Sequence, residues 1–187
     1  MKKTCFLLFL SCFFWPYFLY AQPAGGKYRQ NFDRKLASAG IGMRLPAKFW
    51  VIHPVQNPAM PYDFGLRSTR EEFEVWFRVD RTENVPGGDS IAVAAAQKQV
   101  PEISADPKYI AKTIPPEIMQ EFFNADLGHS FAVTLKRGHR TRNYRYGLLL
   151  VVQKSQSASL TMLFLSNENG PAFYRNVNGI FYTVKFK

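Results

Sequence analysis

Lys136, Arg137, Arg140, Arg142 and Arg145 place five permanent positive charges within ten residues, with no acid among them. Like charges this close repel one another, and an arrangement chosen for stability alone would intersperse acids. Guanidinium forks suit phosphate, sulfate or carboxylate, and Tyr144 and Tyr146 supply aromatic faces beside them. The segment falls between two strand candidates, so it is expected at the tip of a β-hairpin. Strand alternation would send Arg142 and Arg145 to opposite sides, which leaves Arg137 and Arg140 as the best-placed ligands. The competing reading is a solvated loop, kept polar for solubility and to discourage edge-to-edge strand pairing.

Other chemistry is sparse. The chain contains no GxGxxG, GxxxxGK[ST], HExxH or GxSxG motif. His53, His129 and His139 are its only histidines. Asp126 and His129 could share a metal on a helix, but Gly128 between them and the strand signal starting near Phe131 argue against a helix there. Asn124 and Asp126 read instead as turn residues. His53 precedes Pro54 and reads as a strand end. Glu72 and Glu74 would project from one strand face, but nothing indicates a cleft around them, and that face is expected to be exposed. No catalytic residue, metal or cofactor is therefore expected.

These residues must be carried by a chain of 187 residues, 47% hydrophobic and 20% charged, values that fit a globular protein and exclude a disordered one. Its 17 Phe and 9 Tyr supply a sizeable core, and two cysteines exclude a disulfide-stapled miniprotein. Residues 1–21 have the layout of a secretory signal peptide. Lys2-Lys3 precede an apolar run from Thr4 to Tyr20, and Ala21 is followed by polar, Gly-rich chain. Cleavage after Ala21 would leave Gln22 as the N-terminus and remove Cys5 and Cys12. The alternatives are an uncleaved membrane anchor, since the run is about 17 residues long, and a lipoprotein site at Leu10-Ser11-Cys12. With cleavage, no transmembrane segment is expected. The charge is lopsided: residues 22–135 carry 13 bases and 13 acids, whereas residues 136–187 carry nine bases and one acid, Glu168.

Residues 22–38 are polar and read as a flexible leader, and residues 39–187 as a single α+β domain. Ile41 to Leu45 and Phe49 to Ile52 are strand candidates, followed by a Pro-rich loop over residues 54–63. Glu72 to Arg81 is the clearest strand, with Phe73, Val75, Phe77 and Val79 on one face. After a turn-rich loop at 84–88, a helix is expected from Asp89 or Ser90 to about Gln99. A second short helix is expected after Pro107. A third is expected from Pro115-Pro116, with Ile118 and Phe122 facing the core. Strands follow at Phe131–Leu135, Tyr144–Val152 and Leu160–Leu165. The LLLVV run in the second marks a central strand buried on both faces. Phe131, Val133 and Leu135 are expected in one core with Phe73, Val75, Phe77 and Val79. A last helix after Gly170-Pro171, bearing Phe173, Val177, Ile180 and Phe181, leads to a short edge strand in TVKFK.

This layout resembles the Mog1/PsbP-like fold. The resemblance is carried by IGMRLPAKFW, the middle helices, YRYGLLLVVQK, SLTMLFLS and the last helix before TVKF, over about residues 39–187. FFNADLG also resembles a segment of uncharacterised secreted Bacteroidetes proteins. The fold implies an antiparallel sheet with helices packed on one side, and its known members are mostly binding or assembly factors. The expectation is thus an exported, periplasmic or extracellular binding or accessory protein. Export argues against nucleic acid and leaves an acidic protein, an acidic glycan or an anionic lipid head group as partner. The alternatives are a hydrolase with an unrecognised site and a structural envelope protein.

Overall fold

A computed structural model describes residues 26–82 and 88–187. The expected signal peptide, and the turn expected at 84–88 apart from Gly88, lie outside the described residues. In chain order the elements are α1 (Gly26–Ser38), β1 (Ile41–Met43), β2 (Phe49–Ile52), β3 (Phe64–Ser68), β4 (Phe73–Arg81), α2 (Gly88–Ile103), β5 (Ile110–Thr113), α3 (Pro116–Phe123), β6 (Leu127–Thr134), β7 (Tyr146–Lys154), β8 (Ala158–Ser166), α4 (Pro171–Phe181) and β9 (Val184–Phe186), with a short 3-10 turn at His139–Thr141. Seven strands form one antiparallel sheet in the order β2-β3-β4-β8-β7-β6-β5, and β1 pairs with β9 apart from it. The protein is therefore α+β. Among the described residues no helix is long and apolar enough to cross a membrane.

Both faces of the sheet are buried, and the alternation of its strands divides the core in two. On one face Phe73, Val75, Phe77 and Val79 of β4 meet Leu150 and Val152 of β7 and Leu160, Met162 and Phe164 of β8. This face is covered by α1, α3 and α4 through Phe32, Leu36, Met119, Phe123, Phe173, Val177 and Ile180. On the other face Trp76, Leu149, Val151, Leu163, Leu165, Phe131 and Val133 lie under Ala96, Val100 and Ile103 of α2 and under Ala59, Met60 and Tyr62 of the Pro-rich loop. The LLLVV run is thus buried on both faces, as its composition requires. Helices α1, α3 and α4 share one face and α2 takes the opposite one, so the helices are not all packed on one side as the sequence layout implies; a sheet buried on both faces needs cover on both. Phe131, Val133 and Leu135 belong to the core under α2, not to the one that holds Phe77.

Several elements differ from the sequence expectation, among them strand β3, which has no counterpart in it. From Gly26 the polar leader is helix α1, because Phe32 and Leu36, four residues apart, form a narrow apolar stripe on an otherwise polar helix. Phe32 stacks on Phe64 with ring centroids 4.6 Å apart. The segment after Pro107 is the edge strand β5, paired with β6, rather than a helix. The Asp106 side chain accepts the Lys108 amide at 2.7 Å, a local turn that competes with a helical start. In α3, Met119 and Phe123 are buried while Ile118 is 39% exposed, so the inward stripe is shifted by one residue. Met119 packs over Gly128 of β6, where an added Cβ would lie 2.2 Å from its sulfur.

Candidate functional site

The five basic residues fall between β6 and β7, as their spacing predicts, but on a folded loop rather than a bare hairpin tip. Thr141 is buried, and its hydroxyl donates to the Lys136 carbonyl at 2.6 Å. The Thr141 and Asn143 amides both donate to the Gly138 carbonyl. The loop is tied down on two sides. Lys136 donates from its amide to Ile103 O and from its Nζ to Pro101 O, at the end of α2. Asn57 of the Pro-rich loop donates from Nδ2 to the Arg140 carbonyl at 2.7 Å.

This fixed backbone separates the five side chains. Arg137 and Arg140 are exposed. Arg145 is exposed and lies over the Tyr146 ring at 5.5 Å. Lys136 is hooked to α2. Arg142 turns inward, its backbone in the left-handed region at φ 49°, and Nη1 reaches Glu74 Oε1 at 3.3 Å. Among the described residues no acid is paired with Arg137, Arg140 or Arg145.

The inward turn of Arg142 leads to a group that the sequence pattern misplaces. Glu74 was expected on an exposed strand face and is instead 0% exposed. Its Oε1 accepts Arg67 Nε at 2.7 Å and also Arg67 Nη2, and its Oε2 accepts Trp76 Nε1 at 2.9 Å. Trp76 is stacked on Tyr62 of the Pro-rich loop, centroids 4.5 Å apart. One carboxylate thus joins β3, β4, the Pro-rich loop and the basic loop. A buried charge persists only when it is paired and hydrogen-bonded in this way. Burial raises Tyr144, the other wall of the cluster, to a pKa of about 12, and the Glu74 charge pushes in the same direction. Burial also raises Tyr62.

Two guanidinium groups against one carboxylate leave a net positive charge, and half of the Arg67 side-chain surface faces solvent. The signal for this cluster was Trp76: a large apolar residue amid charged neighbours marks a covered face. Glu72, on the same side of the strand, is exposed and accepts Asn167 Nδ2 at 2.6 Å. The other candidates have local roles. Asp126 accepts the Ser155 amide at 2.9 Å and Gln120 Nε2 at 3.0 Å, closing the turn into β6. His129 lies on β6 with Nδ1 3.4 Å from the Thr113 hydroxyl. His53 packs edge-on against Tyr28. Among the described residues no group of three or more His, Cys, Asp or Glu is placed to hold a metal. An open depression of about 440 Å³ beside Tyr62 is lined by the Pro-rich loop, including Pro54, Val55 and Asn57, and its wall carries no carboxylate or imidazole for acid–base chemistry.

No protein-family model matches the chain, and no curated protein is significantly similar to it.

Proposed function

We propose that this chain is an exported binding or accessory protein, without catalysis of its own, that engages an anionic partner through the basic loop between β6 and β7. The observation that carries the reading is a loop held rigid by its own backbone bonds while Arg137 and Arg140 stand exposed and unneutralised. A loop kept polar only for solubility needs neither the buried Thr141 nor the tie from Asn57. Pre-ordered guanidinium groups lose less freedom on binding. The resemblance to the Mog1/PsbP-like fold, with its binding and assembly factors, supports the same reading, and so does the apolar leader for export.

Each exposed contact contributes about 1 kcal/mol, so binding needs several together. The test replaces Arg137, Arg140 and Arg145 with Ser. Arg142 is left in place because it holds Glu74. Binding to anionic vesicles and to acidic polysaccharide should fall and lose most of its salt dependence, while the melting temperature holds. Equal binding by the variant and the native protein would leave the loop as solvated surface.

A further inference from the structure

We propose that Trp50 and Arg67 form a subsite for the uronate units of an acidic polysaccharide. Strand register sets Trp50, Arg67, Glu74, Leu165 and Gly147 in one row across β2, β3, β4, β8 and β7. Directly opposed residues share a face, with Cβ atoms about 4.5–5.5 Å apart. Trp50 is 71% exposed, and among the described residues no ring or cation stacks on its indole. Beside it, Arg67 is oriented from within by Glu74 and keeps half its side-chain surface in solvent.

An apolar ring face next to a fixed guanidinium matches a sugar ring that carries a carboxylate: the ring covers the indole, and the carboxylate meets the outward N–H groups of Arg67 that are not donated to Glu74. Binding is an exchange of water for these contacts, and no covalent step is involved. The row also points at the rest of the basic surface, because Arg142, on the same carboxylate as Arg67, belongs to the loop that bears Arg137 and Arg140. A polymer of repeating carboxylates can engage both. A lipid surface fits this feature less well, since its charges are diffuse and mobile, whereas a guanidinium held by a buried carboxylate is set for one planar anion.

The inference rests on the reading of the loop as an anion-binding surface, and the test separates the two. The purified protein is titrated with polygalacturonate, with its fully methyl-esterified form and with phosphatidylglycerol vesicles. Expected are binding to polygalacturonate, loss of binding on esterification, and weakening of about tenfold in Trp50→Ala with an unchanged melting temperature. Arg67→Lys, which keeps a charge for Glu74 but removes the outward guanidinium N–H groups, should also weaken polygalacturonate binding. Unchanged affinity in Trp50→Ala, or equal affinity for the esterified polymer, overturns the subsite. Binding to vesicles alone, lost on replacing Arg137, Arg140 and Arg145, overturns the subsite and leaves the wider reading standing. No binding to either anionic probe overturns both.

Discussion

Removal of the two arginines that hold Glu74 should have unequal costs. Arg67 supplies two N–H donors to Oε1, one at 2.7 Å, whereas Arg142 supplies one at 3.3 Å. A hydrogen bond to a charged group contributes about 1.5–3 kcal/mol, and stripping a buried ion of its partner costs about 3–5 kcal/mol. Arg142→Ala removes the longer bond and leaves Glu74 paired, so it should cost about 1.5–3 kcal/mol. Arg67→Ala leaves a carboxylate that is 0% exposed with one distant cation, and should cost about 3–5 kcal/mol. For a domain of this size the first corresponds to a fall in Tm of about 3–12 °C. Urea unfolding followed by Trp fluorescence measures both, with Trp76 reporting directly on its bond to Glu74. The double variant should differ from the sum of the singles, because both side chains act on one oxygen. Costs below about 0.5 kcal/mol for both singles, the range of ordinary exposed pairs, would refute the reasoning.

Phe77 is 0% exposed between the sheet and α1, and Phe77→Ala should cost about 3–5 kcal/mol in the same urea assay. Tyr144 ionises from a folded-state pKa raised from 10.0 to about 12. Its contribution to stability is therefore complete below pH 10 and lost as pH rises toward about 12. Absorbance titration should show it among the last tyrosines to ionise, and Tyr144→Phe should flatten the alkaline loss of stability. If the exported protein is processed as the leader implies, its intact mass will lack residues 1–21, and a full-length product retained in the membrane would contradict cleavage.

Strand-level structure was legible where a physical period was strong. The alternation of β4, the double-sided apolar run of β7 and the proline-led starts of α3 and α4 each need a single pattern, and each is present. Strand β3 was not anticipated: FGLRS offers only Phe64 and Leu66 as alternating apolar residues, with Gly65 where a Cβ would meet Ile52 at 2.6 Å. The sequence of helix α1 reads as leader because its burial rests chiefly on two side chains, with tertiary contacts overriding its polarity. The division of the core was the larger miss. A strand buried on both faces requires cover on both, so β7 already implied an element on the second side, and α2 and the Pro-rich loop are that cover.

The basic segment was legible as charge but not as geometry, for a reason that bears on function. Alternation labels Glu74 as a solvent-facing partner of Glu72, and only the three-dimensional meeting of the Pro-rich loop and the basic loop above β3 and β4 buries it. Such a cluster contributes little net stability against an apolar replacement of the same volume, because desolvation offsets much of the ionic attraction. What it contributes is orientation: it fixes one guanidinium from below, tethers a second through its loop, and orders the Trp76–Tyr62 stack beside them. An apolar plug would bury the same surface but would leave Arg67 free to sample its rotamers and the loop without its link to β4. A half-exposed arginine held in one pose by a buried acid both pairs that acid and keeps outward N–H groups in a fixed direction, which is the arrangement the proposed uronate subsite requires.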